Sequence, residues 1–181
     1  MNSNESILDD SDMQWVDSQV YYLRMERRPE PQLACDSHLQ VQRLARPVDV
    51  GYYLELYQRV GLAHHWVDRL VIPLCELDAL LNRDEVEIWV FLHDEQPCGY
   101  VELVRGSDQV EILYFGLFPE FAGRGLGTSF LRRAVELAWS SEPQWVELNT
   151  CDLDSDRALE VYQRVGFEVY TTRMEKRRSM S

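Results

Sequence analysis

Val110-Glu111-Ile112-Leu113-Tyr114-Phe115-Gly116-Leu117-Phe118-Pro119-Glu120-Phe121 runs without a break into Ala122-Gly123-Arg124-Gly125-Leu126-Gly127-Thr128, and apolar residues then recur at Leu131, Ala134, Val135 and Ala138. The first part has the composition of a strand and the last has the periodicity of an amphipathic helix, so the glycines open a helix directly after a strand. The first turn of a helix carries backbone N–H groups without intrahelical partners. Glycine at alternate positions removes the Cβ atoms that would screen them, and the helix dipole favours negative charge at that end. The stretch therefore reads as a cradle for phosphate.

Spacing decides which phosphate ligand fits. A dinucleotide fingerprint needs glycine at 123, 125 and 128, and position 128 is Thr128. A Walker A loop needs Gly-Lys followed by Ser or Thr, and no lysine lies near. A second pattern lies downstream. Ala158, Val161, Tyr162 and Val165 share one helical face, with Asp156, Arg157, Glu160 and Gln163 on the other, and Gly166 ends the helix before an extended Phe167-Glu168-Val169-Tyr170.

Strand, Pro-Glu-aromatic turn, Gly-x-Gly-x-Gly and helix together resemble the acetyl-coenzyme A loop of the GNAT superfamily of N-acetyltransferases. Ala158, Tyr162, Gly166 and Phe167 match that superfamily's second motif in register. The resemblance implies a GNAT-like α/β layered domain: a mixed, mostly antiparallel central sheet flanked by helices, with the glycine-rich loop between its fourth strand and third helix. It also implies acetyl-coenzyme A as co-substrate, held by Leu117, Gly123, Arg124, Gly125, Leu126, Gly127, Thr128 and Ser155. Two positions depart from the pattern. Ala122 stands where the superfamily usually has Arg or Gln, which removes a side-chain donor to the pyrophosphate, and Ser155 replaces Asn while keeping the capacity to cap a helix.

With 181 residues the chain is long enough for one domain with a proper core, expected over 19–181. Residues 1–18 carry Glu5, Asp9, Asp10, Asp12 and Asp17 with few apolar anchors and read as a mobile acidic leader. The sequence has no export or membrane-spanning pattern, so a cytoplasmic protein with no membrane partner is expected. Cys35, Cys75, Cys98 and Cys151 follow no paired spacing, and neither a disulfide frame nor a metal site is expected. A net charge of -13 argues against nucleic acid as a partner and for cationic acceptors. Coenzyme A is itself an anion, so its entrance needs local positive charge, for which Arg124, Arg132 and Arg133 are candidates.

Along the chain, strands are expected at 20–25, 39–44, 86–92, 100–104, 145–150 and 167–174, besides the one before the glycines. Helices are expected at 49–60 and 74–81, with a hairpin turn at 94–97. The strand at 20–25 is extra to the superfamily's order and is expected to cover an open sheet edge.

Acyl transfer from a thioester to an amine needs a track for the pantetheine arm, a donor for the developing oxyanion, a base and an acid. The resemblance lays the arm beside the glycine-loop strand with the Leu117 N–H toward the thioester carbonyl, and makes Glu111 the base and Tyr162 the acid. An ordinary Glu titrates near ~4.3 and needs burial or an intervening water to act at neutral pH, whereas a phenol near ~10 suits protonating a thiolate near ~8.5. Read without the resemblance, Glu111 is equally a solvent-facing strand residue and Tyr162 equally a core tyrosine. Glu147 and Asn149 on the next strand, and Asp152 beyond it, are the fallback candidates for the base. Tyr53, His65, Trp66 and Asn149 are candidate acceptor contacts, rich enough in aromatic surface to hold a cation or, alternatively, to be packing. The expected function is N-acetyl transfer to a primary amine, on a small cationic molecule or a protein, by direct attack in a ternary complex. A homodimer is compatible with it. The alternative is a catalytically weak acetyl-coenzyme A sensor acting through a protein partner.

Overall fold

The computed structural model describes residues 5–30 and 38–180; Cys35 and the loop at Pro31 lie outside them. Among the described residues seven strands form one sheet: β1 (Met13–Met25), β2 (Leu39–Arg43), β3 (Val86–His93), β4 (Gln96–Arg105), β5 (Gln109–Leu117), β6 (Trp145–Cys151) and β7 (Glu168–Met180). Four helices accompany them: α1 (Val50–Gly61), α2 (Leu74–Leu81), α3 (Leu126–Trp139) and α4 (Ala158–Val165). The spatial order is β2-β3-β4-β5-β6-β1-β7, and neighbours are antiparallel except β5 with β6. This is the mixed, mostly antiparallel α/β sheet expected from the sequence.

The helices start where local chemistry places them. The Asp49 side chain accepts from the Tyr52 amide and caps α1, while α2 follows Pro73, which has no N–H to satisfy. The pair covers one face of the sheet with Tyr53, Leu56, Tyr57, Leu77 and Leu81 buried. On the other face Phe130, Leu131, Ala134 and Val135 of α3 pack over Val110, Ile112, Val146 and Leu148. β5 changes faces part-way. Ile112 pairs with Leu103 and Tyr114 with Glu102, so Leu113 is an extra residue, a bulge that brings Tyr114 into the core under α1.

One feature of the sheet makes the site. The parallel register of β5 and β6 runs from Gln109↔Trp145 to Glu111↔Glu147 and stops there. Beyond it the two strands are not paired, and residues 112–117 of β5 edge a cleft.

Several expectations are corrected. The acidic leader does not extend to residue 18. Strand β1 begins at Met13, and upstream of it the Ile7 and Leu8 amides both donate to Leu70 O at 2.9 Å. The acidic composition hid a strand whose Asp17 projects outward beside Lys176 while Ser18 and Val20 are buried. Nor does β1 cover an edge: it lies inside the sheet between β6 and β7, and β7 is the edge strand. That last strand continues to Met180, past the expected end at 174, because charged residues such as Arg173, Glu175 and Lys176 are what a solvated edge strand carries. The β3–β4 turn is tighter than 94–97: Asp94 and Glu95, with φ of 49 and 64, form its tip, and β4 starts at Gln96. Among the described residues no helix is long and apolar enough to cross a membrane.

Candidate active site

The cleft holds a cavity of about 760 Å³ lined from β5, the glycine turn, α4, the segment after α1 and the end of β7. Its β5 edge offers backbone groups. Leu117 faces Gly99 while the Phe118 amide donates to Cys98 O at 2.8 Å, so Leu117–Gly99 is a non-hydrogen-bonded pair and the Leu117 N–H points away from β4, into the cleft. Gly116 is needed just before it: a Cβ there would lie 2.2 Å from Val60 Cγ1, so α1 can sit directly on the strand only if this residue has no side chain.

After β5 the chain turns through Gly123 and Gly125 at φ of 73 and 79, a left-handed backbone that glycine adopts without cost. Gly125 caps α3 with no side-chain hydrogen bond, and α3 has no acidic residue in its first turn, so the first amides stay available to an anion. A Cβ built on Gly123, Gly125 or Gly127 meets nothing within 4 Å; the space above the turn is open. These features fit a pyrophosphate.

Of the sequence-predicted residues, the cavity brings together Leu117, Gly123, Gly125, Gly127, Thr128 and Ser155 on one side. On the other it has His65, Trp66 and Asn149, with Tyr162 also on its wall. Glu111, Arg124, Leu126 and Tyr53 do not line it. Arg124 instead stacks on Phe121, 5.3 Å from the ring centroid. Ser155 does not cap α4, which begins at Ala158; its hydroxyl accepts from the Arg157 amide at 3.4 Å in the turn leading in. The positive lining comes from Arg157, Arg164, Arg177 and Arg178 rather than from Arg124, Arg132 and Arg133.

Tyr53 is structural. Fully buried, it donates to Glu102 Oε2 at 2.6 Å and accepts from Arg69 Nε at 3.2 Å, and Arg69 Nη2 reaches Glu102 Oε1 at 2.6 Å. A strand carboxylate at 0% exposure is tolerable only with such partners. The Arg69 guanidinium also lies 5.3 Å from the Tyr114 ring centroid. Tyr114 packs against Tyr57 and Trp66, with centroids 5.1 Å apart in each case, and all three rings line the cavity. Trp66 is pinned across the cleft: its Nε1–H donates to Asp154 Oδ1 at 3.0 Å, while Thr150 Oγ1 and the Cys151 amide donate to Asp154 Oδ2.

The acetyltransferase (GNAT) family profile matches residues 50–167, which is most of the chain. The chain belongs to the GNAT family. It is similar to an uncharacterized N-acetyltransferase of Methanocaldococcus jannaschii, 27% identical over 129 residues, covering 66% of this chain and 57% of that protein. Among solved structures it is similar to a GCN5-related N-acetyltransferase from Sphaerobacter thermophilus, at a TM-score of 0.67 and 13% identity over 92% of this chain and 53% of that one. It is also similar to a GNAT family acetyltransferase from Elizabethkingia anophelis with acetyl-CoA bound, at 0.57 and 16% over 75% and 80%. The chain spans a little over half the length of the first two of these.

Within this GNAT fold, burial raises the pKa of Glu111 above the usual carboxylate value, and the neighbouring Glu147 and Glu102 add to the shift. Glu147 is its register partner across the β5–β6 pairing and accepts from Trp145 Nε1 at 2.8 Å. Tyr162 sits between Phe115 and Phe167, with centroids 6.5 and 6.3 Å away, and burial followed by the charge of Asp154 pushes its phenol up, so it keeps its proton. Among the described residues no group of three His, Cys, Asp or Glu side chains is placed to hold a metal. Sequence reasoning missed Tyr114, Asp154 and the β7 end at Arg177–Ser179. The first is masked by the bulge. The last required reading the charged alternation after Met174 as strand.

Proposed function

We propose that this GNAT domain transfers an acetyl group from acetyl-coenzyme A to the nitrogen of a primary amine by direct attack in a ternary complex. The observation that carries this reading is the parted β5–β6 pair, which leaves the Leu117 N–H free in the same cavity as the glycine turn and Tyr162. The turn's amides and the Thr128 hydroxyl hold the pyrophosphate, and the open β5 edge accepts the pantetheine amide groups as an added strand would be accepted. Leu117 N–H donates to the thioester oxygen as charge develops on it. Tyr162, kept protonated by its surroundings, donates to the departing sulfur. Glu111 lies off the cavity wall, so a role for it as base runs through intervening water.

Ala122 lines the cavity without a side-chain donor, which favours one second reading, a weakly catalytic acetyl-coenzyme A sensor. Calorimetric titration with acetyl-coenzyme A and with coenzyme A, followed by a panel of small amines and basic peptides, separates the two. Saturable binding with turnover that falls in Tyr162→Phe supports transfer. Binding without turnover across the panel supports the sensor, and no binding removes both.

A further inference from the structure

The acceptor half of the cavity holds an exposed imidazole that is hydrogen-bonded to Ser179. His65 ends the short turn after α1 in the left-handed region, at φ 57 and ψ 29, a backbone state that a non-glycine residue keeps only where its neighbours require it. The next residue, Trp66, is held by Asp154. His65 Nδ1 lies 3.0 Å from Oγ of Ser179, a residue near the end of β7 that is 4% exposed. The Ser179 hydroxyl has one hydrogen, and Met180 O at 3.2 Å and His65 Nδ1 are its two acceptors within reach. With that hydrogen on Met180 O, the Ser179 oxygen accepts from Nδ1–H and the lone pair of the ring is on Nε2, which is the arrangement the base assignment requires.

We propose that His65 Nε2 is the base that takes the proton of the acceptor amine, with Ser179 as its positioning residue; this rests on the transfer reading above. The ring lines the cavity that Leu117 and Tyr162 also line, and Glu111 does not. In the step, the amine nitrogen bonds to the acetyl carbon and the carbon–sulfur bond breaks. The nitrogen's proton goes to Nε2, and the sulfur takes the Tyr162 proton. Both side chains return to their starting states by exchange with water. Titratable and charged groups line the same space from several segments. On its own segment these are His64 and Asp68. The loop after β6 brings Asp152, Asp154, Asp156 and Arg157, while β7 brings Arg177 and Arg178.

Two measurements test the assignment. The first needs no activity: ¹⁵N spectra of histidine-labelled protein, with His65 assigned by its loss in His65→Gln, report the tautomer directly. An Nδ1–H ring that becomes a mixture of tautomers in Ser179→Ala is expected; an Nε2–H ring in the wild type overturns the proposal. The second is the pH dependence of kcat/KM for an amine found in the panel. His65→Gln is expected to lower kcat/KM about 10²–10³-fold at neutral pH, abolish the acid limb and respond to added imidazole, with acetyl-coenzyme A affinity unchanged. An acid limb that survives in His65→Gln and disappears in Glu111→Gln overturns it. If no amine is turned over, the transfer reading falls and this assignment with it, and the tautomer spectrum separates that failure from an error in the ring's geometry.

Discussion

Gly116 is the position where strand and helix approach most tightly, and Gly116→Ala tests the packing that shapes the cleft. The added Cβ would lie 2.2 Å from Val60 Cγ1, while the other two Val60 carbons are 3.6 and 3.8 Å away. Relief therefore needs either a shift of α1 or a change in one methyl group. Overpacking of this kind costs about 1–3 kcal/mol, offset by about 0.5–1 kcal/mol because alanine loses less backbone entropy than glycine on folding. The net expectation is a loss of about 0–2.5 kcal/mol. Val60 is 3% exposed, and Val60→Ala alone removes two buried methyl groups at about 1.5–2.5 kcal/mol. In the double variant the new Cβ occupies space that Val60 has vacated, so the two losses should fall short of their sum by about 1–2 kcal/mol. Urea unfolding of all four proteins, with the slope m held constant, measures that coupling. Acetyl-coenzyme A affinity should follow it, falling in Gly116→Ala and recovering in the double variant, because Leu117 is the next residue. Additivity within about 0.5 kcal/mol would refute the argument, since it would mean that the strand and α1 do not meet at these atoms.

Arg69→Met strands the Glu102 carboxylate in the core and should cost about 3–5 kcal/mol, whereas Arg69→Met combined with Glu102→Leu should recover most of that loss; urea unfolding of the three variants decides. Glu111 has a raised folded-state pKa, so its contribution is present below the unfolded value of 4.5 and lost as pH rises through the folded one. Glu111→Gln should therefore melt above the wild type at pH 8, with the gap closing as pH approaches 4.5; a gap independent of pH would contradict this. Tyr162→Phe should lower kcat by about 10²-fold while leaving acetyl-coenzyme A affinity in place, and parallel loss of both would mark the ring as packing alone.

The glycine turn and the close approach before it were readable because their backbone chemistry is local. Gly123, Gly125 and Gly127 announce a helix start that no side chain screens, and Gly116 announces a close approach; each depends on residues within one turn or one strand. Both helices ahead of β3 were readable for the same reason, from Asp49, Pro73 and apolar spacing. The acceptor half was not. Tyr53, taken for an acceptor contact, is the hydroxyl that satisfies Glu102 and Arg69, and only the pairing of distant segments reveals it. One signal was available: Glu102 interrupts the apolar run Tyr100-Val101-Glu102-Leu103-Val104, and a charge there needs a buried partner. Glu111 followed from motif register, which fixes position along β5 but not whether a side chain reaches the cavity beyond the Leu113 bulge.

The position of β1 explains why the acceptor wall is so composite. Strands β5 and β6 share a parallel register only over Gln109–Glu111 with Trp145–Glu147, so the far side of the cleft needs another support. That support is β1, paired with β6 over Val20–Met25 and with β7 nearly end to end. Its long ladder carries β7 back across the molecule until Ser179 meets His65, on the segment that follows α1. The Trp66–Asp154 bond makes a second tie between the same two halves. One side of the cavity is thus built by β5, the glycine turn and α4, while the other depends on two ties between segments far apart in sequence. Substitutions at those ties can reshape the acceptor pocket while the glycine turn and the β5 edge keep their own hydrogen bonds.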